Sequence, residues 1–198
     1  MPTSAVLLLD LQQDFLDSKA GRMPVDEAGA EAALDAANAV LAKRALAEAL
    51  PILVLNRFPP SARIANFFRK GAAIDGSPGA EPDPRLQGFG SSKLIAKSSP
   101  SAFTDPELDA YLRAHRVDEL YVLGVFAEGC VRSTVADALG LGYNVHVIAS
   151  AVASDAAWKK RFALWAMKRA GARIVPDLAA LSGGGPPTAG DGPARSAR

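Results

Sequence analysis

Short, nearly continuous apolar runs recur along this chain, separated by stretches of helical period. That alternation constrains the fold more than any other feature. The runs are AVLLL (residues 5–9), ILVLN (52–56), KLIAK (93–97), ELYVLGV (119–125), NVHVIAS (144–150) and ARIV (172–175). A strand with one wet face alternates apolar and polar residues, whereas runs this continuous belong to a sheet covered on both faces, typical of parallel sheets. Between them, residues 26–50 are Ala-rich with Leu34, Ala37, Val40 and Leu41 at helical spacing, and Pro51 is expected to stop that helix. TDPEL predicts a helix start with Thr104 as N-cap, Glu107 as its capping-box partner and Pro106 in the first turn. A helix from Cys130 to Leu139 should close on a left-handed cap at Gly140 and Gly142, and residues 155–170 form an amphipathic helix. The expected fold is α/β: a three-layer α/β/α sandwich around a mostly parallel six-stranded sheet. Residues 57–90 are rich in Pro and Gly with aromatics embedded, which predicts a long loop with short helical pieces. Such loops often line a site. The domain spans residues 1–182, and GGGPPTAGDGPARSAR (183–198) has the composition of a disordered tail.

With 22 basic and 21 acidic residues dispersed along the chain, no charge block suggests a nucleic-acid groove or an acidic lipid surface. A single cysteine precludes an internal disulfide and fits a reducing compartment. The N-terminal apolar run is short, lacks a preceding basic region and contains Asp10, so neither a signal peptide nor a membrane span is expected. The expected location is the cytoplasm.

In open α/β sheets, ligands bind at the carboxyl ends of the strands. Three reactive residues fall there: Asp10 after the first strand, Lys97 ending the third, and Cys130 after the fourth. Taken singly, Asp10 is a turn residue, Lys97 a solvated lysine and Cys130 a small buried hydrophobe. Their shared address raises all three. A thiol in the first turn of a helix faces unpaired N–H groups and the positive dipole end, both of which favour thiolate, and Lys97 adds charge in the same sense. Asp10 opposes the thiolate but can accept the thiol proton.

These residues resemble the isochorismatase-like cysteine hydrolases over roughly residues 5–175. AVLLLDLQQDF is similar to the family's apolar run followed by D-x-Q-x-D-F, which places the family's catalytic Asp on Asp10. KSSPSAF is similar to K-x-x-x-S-A-F and places the Lys on Lys97, four residues beyond Lys93. GVFAEGCVRSTVADALGLGYNV is similar to the motif around the nucleophile and places it on Cys130. The resemblance implies cleavage of a small amide or carbamoyl compound through a thioester, with no cofactor. It also implies an oxyanion held by the backbone N–H groups of Phe126 and Cys130, a cis peptide joining Val125 to Phe126, and a homodimer or homotetramer.

Departures from the family narrow the substrate. Nicotinamidases hold a metal through an Asp-x-His pair after the second strand and a further His. Here that region reads LNRFPPSARIANFF, and His115 and His146 lack ligand spacing, so no metal is expected. Cys130 argues against the cysteine-free vinyl-ether hydrolases, although Phe126 is closer to the aromatic those enzymes carry. That reading, a non-catalytic binding relative and a redox-sensing thiol are the alternatives. Candidate substrate-binding residues are Phe15, Asn56, Arg57, Phe67 and Phe126, with Arg57 a possible anchor for a carboxylate. Glu128 is either a supporting residue or an exposed one. Trp158 and Trp165, seven apart, are expected to pack in the core or a subunit interface.

Overall fold

The computed structural model describes residues 3–182, so the Gly/Pro-rich stretch from Gly183 onward lies outside the described residues. The strands are β1 (Thr3–Leu9), β2 (Leu50–Asn56), β3 (Lys93–Lys97), β4 (Val117–Val125), β5 (Asn144–Ala153) and β6 (Arg173–Val175). They pair parallel throughout in the order β3-β2-β1-β4-β5-β6. The chain winds outward from β1 through β2 to β3, returns to lay β4 beside β1, and winds outward again.

Among the described residues seven α-helices connect or cover the strands: α1 (Gln13–Leu16), α2 (Glu27–Leu41), α3 (Arg63–Phe68), α4 (Pro106–Ala114), α5 (Arg132–Gly140), α6 (Ala157–Ala170) and α7 (Ala179–Ser182). Alternate strand residues feed two separate cores. Val6, Leu8, Leu53 and Leu55 pack with Ala33, Leu34 and Ala37 of α2. Leu7, Leu9, Ile52 and Val54 share the other core with Leu108 and Leu112 of α4, Val135 of α5 and Met167 of α6. The period-two geometry of a strand sends neighbouring side chains to opposite faces. Because both faces are covered, the runs read as unbroken apolar sequence.

Several local expectations are corrected. The Ala-rich helix ends at Leu41, not near residue 50. Lys43 and Leu46 take left-handed φ of 55° and 49°, and the chain turns there before entering β2. Pro51 lies inside β2, paired with Val6. The β3 ladder begins only at Ile52, so the missing N–H falls at the start of the strand, where it is tolerated. Asp105, not Thr104, caps α4 by accepting from the Glu107 N–H at 2.9 Å, with Pro106 at the first helical position. Cys130 does not open an α-helix: it belongs to a π-helical turn, Ala127–Val131, with α5 beginning at Arg132. Gly140 remains helical, and only Gly142 is left-handed, with φ 92°. Among the described residues no helix is long and apolar enough to cross a membrane.

Candidate active site

The order of the strands reverses between β1 and β4, and in doubly wound sheets the crevice at that point is the natural ligand site. Asp10 leaves β1 there with φ 56°, a conformation that Asp tolerates better than most residues, and its N–H donates to Val54 O at 2.8 Å. The turn carrying Cys130 leaves β4 beside it. Gly124 makes this approach possible: with φ 120°, a Cβ at this position would lie 2.1 Å from Leu9 O. One residue further on, the Val125–Phe126 peptide bond is cis. On the other side of β1, Asn56 and Lys97 end β2 and β3 as register partners.

These strand ends bring four side chains together. Lys97 Nζ donates to Asp10 Oδ2 at 2.9 Å, to Asn56 Oδ1 at 2.9 Å and to Ser99 O at 3.3 Å. Lysine can only donate, so Asn56 must turn its oxygen to Lys97, which leaves its Nδ2 to donate to Cys130 Sγ at 3.7 Å. Asp10 Oδ1 is buried with no hydrogen-bond partner among the described residues. Asp10, Asn56 and Lys97 are all buried.

The electrostatics differ from the expected thiolate. Burial raises the Cys130 thiol to about 12, and the neighbouring Asp10 charge adds to this. Lys97 and the Asn56 amide oppose both but do not prevail. Cys130 therefore rests as a thiol, because burial and the Asp10 charge outweigh the influences that favour the thiolate. Burial also raises Asp10 above its ordinary value of 3.8, against the attraction of Lys97. Burial pulls Lys97 down, but the charges of Asp10 and Cys130 outweigh it and the net direction is upward. The arrangement holds one negative charge to be shared between a carboxyl and a thiol, with one ammonium balancing it. Moving the thiol proton to Asp10 leaves the net charge unchanged.

A cavity of about 210 Å³ opens onto Cys130 and Gly129. Phe15 and Phe126 line it with ring centroids 5.5 Å apart, edge to face. Met23 lines it too, as do Asn56, Phe58, Arg69 and Ala72 from the end of β2 and the loop beyond, and Pro100 from the segment after β3. Of the expected substrate-binding residues, Phe15, Asn56 and Phe126 are at this cavity. Arg57 is not: Glu81 binds its guanidinium at 2.6 and 3.1 Å and Asp75 lies 3.7 Å away, so the carboxylate anchor is already occupied from within the chain. Arg57 instead borders a second cavity, of about 300 Å³, beside Lys97, Ser98 and Ser99. Phe67 projects from α3 and is 79% exposed. Trp158 and Trp165 are likewise exposed on α6, together with Phe162, which excludes the core alternative of the core-or-interface packing expected of them. Glu128 accepts a hydrogen bond from Ser154 Oγ at 2.7 Å, tying the cysteine turn to the residue after β5.

Three supporting residues escaped the sequence reading although they sit inside its motifs. Gln12 donates to Asn56 O and Ala80 O and accepts from the Asn56 N–H, stapling β2 to the long loop. Asp14 accepts from the Ala73 N–H at 2.8 Å, and a Cβ on Gly79 would strike that same carboxylate. Thr134 Oγ1 accepts from the Ala102 N–H at 3.1 Å, joining α5 to the segment after Lys97. Their polar character at fixed motif positions was the available signal.

The metal-bearing branch of the family places an Asp-x-His pair at the exit of β2. Here that exit carries Asn56, Arg57 and Phe58, and the guanidinium of Arg57 engages the nearby carboxylates. His115 contacts Tyr111 O, and His146 pairs with Glu119. Among the described residues no three His, Cys, Asp or Glu side chains converge, so the donor set does not fit such a metal.

A family model for the isochorismatase domain matches residues 4–176. The nicotinamidase of Escherichia coli is 30% identical over 179 residues, covering 75% of this chain and 82% of that protein. The streptothricin hydrolase of Streptomyces noursei is 32% identical over 204 residues, covering 93% of this chain and 66% of that protein. The crystal structure of an isochorismatase-like hydrolase from Alkaliphilus metalliredigens superposes with a TM-score of 0.80 at 22% identity, over 91% of this chain and 97% of the other, a likeness of fold. The chain belongs to the isochorismatase domain family, among relatives named as amidases and hydrolases.

Proposed function

We propose that the protein hydrolyses the C–N bond of a small amide or carbamoyl compound through a thioester on Cys130. The observation that carries this reading is the buried Asp10 oxygen Oδ1. Among the described residues it has no hydrogen-bond partner while Lys97 holds Oδ2, so the carboxylate has a vacant acceptor beside a thiol.

In the first step the Cys130 proton passes to Asp10 and Sγ forms a bond to the carbonyl carbon. Charge develops on the carbonyl oxygen, where the backbone N–H groups of Phe126 and Cys130 would stabilise it. Collapse breaks the C–N bond, and Asp10 returns the proton to the departing nitrogen. Water then attacks the thioester, giving its proton to Asp10 and on to the sulfur. The products are a carboxylic acid, or a carbamic acid from a carbamoyl compound, together with ammonia or an amine, and the thiol is restored. A carboxyl raised by burial suits this exchange, because its proton affinity moves toward that of the thiol and the nitrogen. Lys97 orients Asp10 and balances its charge, and covalent catalysis divides one difficult step into two.

The test is intact-protein mass spectrometry during incubation with small amides, ureido acids and carbamoyl amino acids, alongside Cys130→Ala. The expected result is an acyl adduct on the native chain that decays with release of ammonia or amine and never forms on the variant. A Cys130→Ala protein that retains full turnover of a C–N substrate would overturn the assignment of the nucleophile.

A further inference from the structure

The cavity beside Cys130 contains a cation that the proposed chemistry does not use. Arg69 caps α3 at its C-terminal end and lines this cavity, its Cζ stacked 3.8 Å from the centroid of the Phe58 ring. Among the described residues its one side-chain hydrogen bond runs from Nη1 to Asn66 Oδ1 at 3.3 Å, and no carboxylate lies within ion-pair distance. The other arginines that structure this loop differ: Glu81 clamps Arg57, and Asp83 binds Arg85 through two nitrogens. Most of the guanidinium's five donors are therefore unused, at a wall of the cavity where the sulfur sits.

Charge makes the same point. Asp10, Cys130 and Lys97 together are neutral, so Arg69 leaves the cavity with one uncompensated positive charge. Phe15, Met23, Phe58 and Phe126 supply apolar lining, which strengthens any ion pair formed against it and offers no other partner to a charged group. A planar guanidinium braced on an aromatic face presents its edge in the geometry that matches a carboxylate bidentately. The volume of about 210 Å³ corresponds to roughly seven water molecules at about 30 Å³ each, which restricts the ligand to a small molecule.

From these observations we propose that Arg69 binds a substrate carboxylate, making the substrates small amides or carbamoyl compounds that carry a carboxylate. This rests on the proposed C–N hydrolysis for its reaction, though not for the anion subsite itself.

The subsite can be read without turnover, from alkylation of Cys130 by iodoacetate and by iodoacetamide, which differ in one carboxylate. In Arg69→Gln the ratio of the iodoacetate to the iodoacetamide rate constant should fall about tenfold, the effect expected on losing a charge-assisted partner. The iodoacetamide rate itself should stay within about twofold if the site is intact. Arg63→Gln, at the exposed start of the same helix, should leave the ratio unchanged, and Arg69→Lys should retain part of it because charge remains while the fork is lost. A ratio that Arg69→Gln leaves unmoved in a folded variant overturns the proposal. In turnover, succinamate should be preferred over its neutral isostere 4-oxopentanamide, and Arg69→Gln should erase that preference mainly through KM. If no amide is hydrolysed while the alkylation ratio still depends on Arg69, the carboxylate subsite stands and the C–N hydrolase reading fails.

Discussion

Replacing Lys97 by methionine keeps the length of the side chain while removing the charge that balances Asp10, and the resulting loss of stability should depend on pH. In the native protein Lys97 Nζ sits 2.9 Å from Asp10 Oδ2, and both side chains are almost wholly excluded from solvent. Removing one partner of such a pair typically costs about 3–5 kcal/mol, because a charge is left buried without compensation. Asp10 can escape by taking a proton. This caps its share of the loss at about 1.36 kcal/mol for each pH unit above its ordinary value of 3.8. The cap is about 4.4 kcal/mol at pH 7 and about 1.6 kcal/mol at pH 5. The sign follows from proton counts. Between 3.8 and the raised folded value, the folded variant binds a proton that the unfolded chain does not, so stability falls as pH rises. Urea titrations of both proteins at pH 5, 6 and 7 should show a destabilisation that grows with pH by at most about 1.36 kcal/mol per unit, less whatever part the already raised Asp10 of the native protein shares. Asp10→Asn in the Lys97→Met background should recover most of it, since Asn tolerates the same left-handed backbone. A loss that is the same at pH 5 and 7, or one below about 1 kcal/mol at pH 7, would mean that Asp10 is not the ionised partner of Lys97.

Asp10→Asn alone should separate thiol ionisation from catalysis. Removing the carboxylate removes a cause of the raised Cys130 value, so the pH midpoint of iodoacetamide alkylation should drop below about 12, while turnover falls by at least about a hundredfold for want of a base. The native protein should lose stability as pH climbs from 9 toward about 12, by up to about 1.36 kcal/mol per unit, because Cys130 keeps its proton when folded and releases it when unfolded. Cys130→Ala should flatten that part of the pH–stability curve, measured by urea titration. Gly124→Ala should cost about 3 kcal/mol or more in the same assay, since it combines an unfavourable φ of 120° with a Cβ only 2.1 Å from Leu9 O.

What could be read from the sequence followed a simple physical division. Leu7 and Leu8 point to opposite sides of the sheet and both are fully buried, so the strand announced itself as an apolar run. Asp10, Lys97 and Cys130 were legible because each follows such a run at the end where ligands gather. The end of α2 was not legible: residues 42–50 are good helix formers, and only tertiary closure onto β2 forces Lys43 and Leu46 into left-handed turns. Thr104 and Asp105 are both competent caps one residue apart, and sequence does not rank them. The protonation of Cys130 depended on burial and on a carboxylate 120 positions earlier in the chain, neither of which a local helix-dipole argument contains. Arg57 was the expected carboxylate anchor and Arg69 was not, because only the folded loop shows Glu81 claiming the first and the cavity receiving the second.

The residues around Cys130 divide by origin. Asp10, Lys97 and the cysteine turn are fixed by the ends of β1, β3 and β4, whereas Phe58, Arg69 and Ala72 belong to the long connection between β2 and β3. That connection is fastened to the sheet side through Gln12 and Asp14, from residues that do not line the cavity. A descendant chain can therefore accumulate replacements at positions 58, 69 and 72, and so change which molecule is accepted, while the reactive groups keep their positions. Divergence of specificity within such a lineage would be inherited in the loop, and conservation of reactivity in the strands.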